Sequence, residues 1–353
     1  MKAKIGVALL ASALLGSALA PSAASAQSDI LLRLRSGSPL GDRFRVDSSS
    51  AIVAKGVLGV GVHPFSGAGE RLTWDPYHAA FRAGSIGSAG TQWDLANTGF
   101  YTWAGGYNTT ALGLASFAMG YQNSALGSYA IALGYTANAD GTGAVAIGYR
   151  PTADADYSVA IGQRASTNGH AGAIVLSDGS TTDSTQASAN NQFTVRAAGG
   201  IRLFTNATMT VGVQVAAGGS SWAVISDRNR KGDFLSVNGE DILSRLRLVP
   251  VTTWRYRDED DRSTFHIGPM AQDWHRAFGF TRDDRTINMS DFDGVNLAAI
   301  KALEARTAGQ AARIEGLQDE NAALRAEVAA LREQNARFEE RLRRLEEAAR
   351  APR

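Results

Sequence analysis

Large and small residues repeat with a period of 14 in the middle of the chain. Four repeats between positions 111 and 166 read ALGLASFAMGYQNS, ALGSYAIALGYTAN, ADGTGAVAIGYRPT and ADADYSVAIGQRAS. Within each repeat, large and small side chains alternate with period two, which predicts a β-strand. Fourteen residues are too few for a propeller blade or a helical repeat, but they suit one coil of a β-solenoid.

The two faces of the predicted strand differ in size. One face carries bulky side chains, namely Phe117, Met119, Tyr129, Ile131, Leu133, Val145, Ile147, Tyr157, Val159 and Ile161. The opposite face carries Ser116, Ala118, Gly120 and their equivalents, which allow close approach of another backbone. A single coil cannot bury its bulky face, so we expect the coils to stack.

This pattern, over about residues 97–179, resembles the β-roll head of trimeric autotransporter adhesins. The resemblance implies a left-handed parallel β-roll of 14-residue coils within a bundle of three chains. We accordingly assign residues 97–190 to the head, which would offer a surface for a glycan or another surface ligand. Residues 27–96 are expected to form related β structure. The aromatic residues Trp74, Trp93, Tyr101, Trp103 and Tyr107 are expected to be buried in the roll.

A heptad pattern from residue 300 onwards predicts a coiled coil. Position a holds Ile300, Thr307, Ile314, Asn321, Val328, Asn335 and Leu342, and position d holds Leu303, Gln310, Leu317, Leu324, Leu331, Phe338 and Leu345. Parallel in-register chains would place oppositely charged g and e residues together, as in Glu320–Arg325, Glu327–Arg332 and Arg341–Glu346. The residues at positions a and d favour a coiled coil of two helices. The resemblance of the head implies three, and a fused trimeric head raises the local concentration of the third helix. We expect a parallel trimeric coiled coil over 300–347.

Between head and coil, short strands and helices alternate. Strands are predicted at 193–196, 201–204, 209–215 and 252–256, and helices at 241–248 and 270–278. We divide this region into a β-strand stalk, 191–225, and a small α+β domain, 226–299.

The segment from Ser226 to Lys231, with the sequence SDRNRK, carries the candidate chemistry. A serine and a lysine can act as nucleophile and base if the amine is neutral. Arg228 and Arg230 favour the neutral amine, whereas Asp227 would favour the ammonium if it paired with Lys231. Arginine could not replace this lysine, because arginine does not lose its proton in proteins. The alternative is a turn in which Ser226 or Asp227 caps a short helix.

Four motifs in order resemble the endosialidase-type intramolecular chaperone. They are SDRNRK, LVPVTTWRY, HIGPMAQD and DGVNLAAI, within about residues 192–304. Such domains lie at the C-terminus of trimeric phage tail spikes and bacterial surface fibres. They drive trimer assembly and then cut themselves off before the serine of an SDxxxK motif. The resemblance implies that Ser226 is the nucleophile, that Lys231 is the base and that the Ile225–Ser226 bond is cut.

The composition excludes several kinds of binding site and catalysis. The 353 residues include no cysteine, which excludes disulfides and thiol catalysis. Lys and Arg number 35 against 34 Asp and Glu, so no charge excess favours nucleic acid. The five histidines show no metal-ligand spacing such as HExxH, and no nucleotide-binding loop occurs. We therefore expect neither a metal nor a cofactor.

The N-terminus reads as a secretory signal over residues 1–26. Lys2 and Lys4 precede an apolar stretch, and small residues end it at Ala24-Ser25-Ala26. The apolar stretch is shorter than the roughly 20 residues that cross a bilayer, and no later segment is expected to do so. We expect export to the periplasm, the cell surface or the extracellular space.

The sequence thus predicts an exported, adhesin-like homotrimeric fibre whose C-terminal domain is an intramolecular chaperone. That domain would act once per chain as an autoproteolytic serine endopeptidase. The alternative is a structural or adhesive surface fibre in which the same domain templates the trimer and never cuts.

Overall fold

The computed structural model describes residues 30–36, 41–48, 50–63, 66–259, 261–280 and 282–350. The predicted signal at 1–26 lies outside these residues. The chain divides into two compact units. The first comprises the described part of Met1–Leu203 with Gln214–Trp222, and the second comprises Phe204–Val213 with the described part of Ala223–Arg353.

The first unit is mainly β and begins with two antiparallel arrangements. Strands β1 (Ile30–Ser36), β2 (Gly41–Asp47) and β3 (Ile52–Ala54) form one sheet. Strands β4 (Gly69–Asp75) and β5 (Ala80–Ile86) form a hairpin. Strand β5 then pairs in parallel with the first strand of the repeats. The large sheet of the head therefore begins within the region 27–96, whose register the sequence did not reveal.

The repeats form a β-solenoid of about five turns over residues 103–177. A short 3-10 turn at Leu95–Asn97 precedes it. In chain order its strands and their continuation are β6 (Trp103–Tyr107), β7 (Thr110–Ala111), β8 (Phe117–Tyr121), β9 (Ser124–Ala125), β10 (Ile131–Tyr135), β11 (Asn138–Ala139), β12 (Val145–Tyr149), β13 (Thr152–Ala153), β14 (Val159–Gln163), β15 (Ala165–Ser166), β16 (Ile174–Ser177), β17 (Thr185–Gln186) and β18 (Phe193–Arg196). The even-numbered strands continue the sheet of β4 and β5, and the odd-numbered strands form a second parallel sheet.

Each strand pairs with its equivalent in the next coil, without a shift. Gly120 of β8 lies opposite Gly134 of β10, which lies opposite Gly148 of β12. This register confirms the period of 14 residues within the repeats. The sheet continues through β16 and β18, so it reaches Arg196, beyond the end that we predicted for the head.

Alanine fills the space between the two sheets. From β6 to β14, each long strand and each short strand places an alanine between the sheets, and these alanines are fully or almost fully buried: Ala104, Ala111, Ala118, Ala125, Ala132, Ala139, Ala146, Ala153 and Ala160. Stacking of the coils thus buries the small face rather than the bulky one. Met119 and Ile161 of the bulky face remain exposed on the single chain.

Most aromatic residues expected inside the roll lie at its surface. Trp93 is buried, and its indole N–H donates to the Thr109 carbonyl over 2.9 Å. In contrast, Trp74, Tyr101 and Trp103 are exposed on the single chain. Within the repeats the gap between the two sheets is narrow and is filled by alanine, whereas the larger buried side chains Trp93 and Val175 lie before and after the repeats.

The two turns that flank strand β10 take a left-handed backbone without glycine. Tyr129 precedes strand β10 with a φ of 63°, and Thr136 follows it with a φ of 51°. The amide of Tyr129 donates to the Leu114 carbonyl, and that of Thr136 donates to the Tyr121 carbonyl, both in the preceding coil. Bonds between coils therefore stabilise a conformation that is unfavourable for a single L residue.

Four tyrosines at equivalent positions stack along one edge of the long strands. The ring centroids of Tyr107, Tyr121, Tyr135 and Tyr149 are 5.0, 5.1 and 4.9 Å apart in succession. This distance is close to the separation of neighbouring strands in a sheet. The guanidinium of Arg150 lies over the last two rings.

Strands β19 (Gly200–Phe204), β20 (Gly212–Ala216) and β21 (Ala223–Val224) form a three-stranded sheet in this order. The second unit continues with a 3-10 turn (Arg228–Arg230), helix α1 (Gly239–Leu246), strands β22 (Thr252–Trp254) and β23 (His266–Gly268), and helices α2 (Ala271–Phe278) and α3 (Met289–Arg350).

The core of the second unit forms where the three helices meet. Ile242 of α1, Trp274 and Phe278 of α2, and Val295 and Ala299 of α3 are buried together. Helix α3 consequently begins 11 positions before the first predicted heptad residue, because its first turns belong to this core.

Local features fix the ends of the two short helices. The side chain of Asn238 accepts hydrogen bonds from the amides of Glu240 and Asp241, which caps α1. Gly279 ends α2 in a left-handed conformation. The Arg306 guanidinium also pairs with Glu240, joining α1 to α3.

Candidate functional site

The candidate site lies in the segment that follows β21. Asp227 caps the 3-10 turn, because its carboxylate accepts a hydrogen bond of 2.9 Å from the Asn229 amide. The turn brings Lys231 back towards the start of the segment. Its amine Nζ donates to the Ser226 hydroxyl Oγ over 2.6 Å. The nucleophile and base implied by the resemblance are therefore in contact.

The charged neighbours of Lys231 have partners of their own. Asp227 pairs with Arg230, with 3.3 Å between Oδ2 and Nε. The guanidinium of Arg228 lies over the Phe234 ring, 4.7 Å from its centroid. The carboxylate that we considered as a partner for the lysine thus lies with an arginine instead. Of the two caps considered from the sequence, the structure uses Asp227.

The bond expected to be cut lies at the end of the sheet. Ile225 is half-buried, and its amide donates to the Gly212 carbonyl over 3.2 Å. Ser226 and Lys231 are exposed on the single chain. Chemically, the arrangement offers a hydroxyl next to a peptide carbonyl and an amine next to that hydroxyl.

Comparison with known families identifies two parts of the chain. Residues 226–280 match the family described as the chaperone of endosialidase, and this match begins at Ser226. Residues 111–165 match the YadA head domain repeat in three overlapping stretches. The chain therefore combines an endosialidase-type chaperone domain with YadA-like head repeats. Together, the two matches suggest a trimeric fibre or adhesin-like protein. Searches of curated proteins and of solved structures gave no match.

The chaperone match is shorter than the resemblance seen in the sequence. It covers the SDRNRK, LVPVTTWRY and HIGPMAQD motifs and ends at residue 280. The fourth motif, DGVNLAAI, lies in the first turns of helix α3. Its residues Val295 and Ala299 pack into the same core as Trp274 of the matched segment, so the unit continues past the match.

Among the described residues, none of the helices combines the length and the apolar character that a membrane crossing requires.

A second cluster of polar residues, His63, Asp75 and His78, lies in the first unit and was missed in the sequence. The only signal was the Asp-x-x-His spacing of the last two, which occurs in many turns. His63 is contributed by a separate loop.

Proposed function

We propose that this chain is an exported homotrimeric fibre protein whose C-terminal domain assembles three chains and then cuts the Ile225–Ser226 bond. The single observation that carries the cleavage is the 2.6 Å contact between Lys231 Nζ and Ser226 Oγ at the first residue of the chaperone match. Export is supported by the signal-like pattern at residues 1–26 and by the extracellular or surface location typical of both families.

Apolar residues left uncovered on the single chain support assembly. Helix α3 exposes the hydrophobic residues at its a and d positions, which are Ile300, Leu303, Ile314, Leu317, Leu324, Val328, Leu331, Phe338, Leu342 and Leu345. The stripe extends along almost the whole helix and matches a coiled-coil seam. In the head, Met119 and Ile161 lie on the bulky face, which three chains could bury against one another.

The charges along α3 also support parallel chains. The ion pairs within the helix join glutamates at heptad position f to arginines at positions b and c: Glu333 with Arg337, and Glu340 with Arg343 and Arg344. These pairs lie on the outer side of the helix. The g and e residues, such as Glu320 and Arg325, remain available to neighbouring chains in register.

In the proposed reaction, the neutral amine of Lys231 takes the proton from Ser226 Oγ, and Oγ bonds to the carbonyl carbon of Ile225. The C–N bond between the two residues then breaks, and the Ser226 nitrogen leaves as an amine after it receives that proton. Water hydrolyses the resulting ester. The products are a carboxylate on Ile225 and a free N-terminus on Ser226, so each chain reacts once.

Assembly would supply the conditions for this reaction. Lys231 is exposed to water on the single chain. Removal of an ammonium from water favours its neutral form. Packing of three chains around the segment would therefore activate the lysine after the trimer has formed, which keeps the chaperone attached until its work is complete.

The exposure of Ser226 and Lys231 also favours a second candidate function. If assembly leaves the segment hydrated, the amine stays charged and the domain templates a trimer without cutting. The protein would then be a structural or adhesive fibre that keeps its chaperone domain. In either case the head would be the part that contacts a glycan or another surface ligand.

The experiment is to express the full chain and a Ser226→Ala variant, and to compare them on a denaturing gel with intact-mass analysis. The proposal expects two fragments from the native chain, one ending at Ile225 and one starting at Ser226, and a single band from the variant. A single full-length band from both would favour the structural fibre. Export is tested by sequencing the N-terminus of the secreted product, which is expected to begin at Gln27.

A further inference from the structure

Three side chains able to bind a metal meet beside the first hairpin of the head. Oδ2 of Asp75 lies 2.9 Å from Nδ1 of His63 and 2.6 Å from Nδ1 of His78. All three potential ligand atoms lie within 4.8 Å of one another. Asp75 ends strand β4, His78 lies in the hairpin turn, and His63 comes from the preceding loop.

The cluster is shielded from water. The side chains of His63, Asp75 and His78 are 8 %, 1 % and 6 % exposed. A carboxylate in this position needs a positive partner. The nearby Arg82 is also buried and interacts electrostatically with Asp75, while its hydrogen bonds go to Phe81, Thr102 and Ala111.

The second nitrogen of His63 shows how its ring is oriented. Nε2 lies 2.7 Å from the carbonyl oxygen of Trp93, which can only accept a hydrogen bond, so Nε2 carries the proton. The other ring nitrogen, Nδ1, lies 2.9 Å from Oδ2 of the Asp75 carboxylate. Metal-bound histidines commonly donate their other N–H to a backbone carbonyl in this way.

The carboxylate is oriented as well. Its second oxygen, Oδ1, accepts a hydrogen bond of 3.0 Å from the Tyr77 amide, which leaves Oδ2 directed at the two imidazoles. Ligand atoms that share one zinc ion lie about 3.4 Å apart, as follows from bond lengths near 2.1 Å and tetrahedral angles. The separations of 2.9 and 2.6 Å are within about 0.8 Å of that value.

We propose that His63, Asp75 and His78 bind one divalent first-row transition-metal cation, with Zn²⁺ as the probe to be tested. Two imidazoles and one carboxylate form a ligand set that suits such ions better than Mg²⁺ or Ca²⁺. The ion would join the loop that carries His63 to the hairpin at the start of the large sheet. Its role is structural, because the site is buried.

The first experiment uses the full chain without any substitution. After loading with Zn²⁺ and extensive dialysis, elemental analysis is expected to give one zinc per chain, and X-ray absorption is expected to give a nitrogen and oxygen shell with two imidazoles. Zinc retained with fewer than two imidazoles, or no zinc retained, would overturn the proposal. This measurement does not depend on the folding of any variant.

The second experiment compares His63→Gln and His78→Gln with His170→Gln as a matched control. His170 is half-buried in the same unit and lies outside the cluster. Each cluster variant is expected to lose at least about 10-fold in zinc affinity, the least that removal of even an outer-shell partner causes. The control is expected to bind zinc like the native chain. Native affinity in both cluster variants, with a native circular dichroism spectrum, would overturn the proposal.

Discussion

Gly134 and Gly148 lie so close in adjacent coils that a Cβ on Gly134 would be 2.2 Å from the carbonyl oxygen of Gly148. The φ of Gly134 is 117°, a conformation that L side chains rarely adopt. Neither the neighbouring backbone nor the strand can move away without breaking the parallel ladder. The recurring glycine of the repeat is thus required by the spacing of the coils.

We expect Gly134→Ala to destabilise the head by about 2 kcal/mol or more, because it combines backbone strain with a steric clash. Gly199→Ala is the matched control, since no atom lies within 4 Å of a Cβ at that position. The apparent melting temperature and the yield of soluble trimer are the measurements. Equal melting temperatures for the two variants would show that the coils can separate to admit a methyl group.

We expect Lys231→Arg to abolish cleavage while the trimer still forms. The charge and length of the side chain persist, but arginine cannot serve as the base. A positioned general base contributes about 100-fold or more to a rate, so the variant should be slower by at least that factor. The amount of fragment ending at Ile225, followed over time by mass spectrometry, gives the rate.

The matched control for this substitution is Lys301→Arg, which changes the lysine next to the first heptad residue of α3. This control is expected to cut at the native rate. A normal rate for Lys231→Arg would rule out the base assignment, even if Ser226→Ala remains intact.

We expect Leu324→Asp to impair both trimer formation and cleavage. Leu324 lies at a d position and would be buried between chains, where loss of the leucine side chain alone costs about 2–5 kcal/mol and a carboxylate adds desolvation. Ala326→Asp introduces the same charge at the outer f position and should behave like the native chain. Light scattering gives the mass, and a denaturing gel gives the cleaved fraction. A monomeric Leu324→Asp chain that cuts at the native rate would contradict the coupling of cleavage to assembly.

We expect the cleaved head to be unable to refold once it has lost residues 226–353. Its strands pair in parallel across separate coils, and contacts of this kind form slowly because loop closure must precede them. The released trimer should therefore be kinetically stable. The test denatures the cleaved Gln27–Ile225 product beside uncleaved Ser226→Ala protein and compares the trimer recovered on dilution. Equal recovery would mean that the C-terminal domain is not a folding chaperone.

The sequence predicted the long strands of the head correctly, because a period of two within a period of 14 leaves few alternatives. It could not predict which face lies inside. Alternation separates Met119 from Ala118, but only the gap between the two sheets makes Ala118 the buried residue. The left-handed turn at Tyr129 was equally invisible, since a hydrogen bond to Leu114 in the preceding coil stabilises it and no local residue signals it.

In the candidate site, too, contacts between residues close in sequence could be predicted, whereas contacts that depend on the folded structure could not. Six consecutive residues contain Ser226, Lys231 and the capping Asp227, so their spacing indicated the turn that joins them. The pairing of Asp227 with Arg230 depends on side-chain conformations, which spacing alone does not specify. His63 lies 12 positions from Asp75 and was found only when the loop was seen against the hairpin.

Because the coils pair without a shift in register, the length of the head can change while its cross-section stays the same. Within the repeats, removal or insertion of one whole 14-residue coil keeps glycine opposite glycine, alanine opposite alanine and tyrosine next to tyrosine in the stacked row. Each added coil moves the N-terminal hairpin along the solenoid axis by about 4.8 Å, the spacing of neighbouring strands. The reach of the head can therefore change by duplication or loss of single coils while the buried cross-section stays the same.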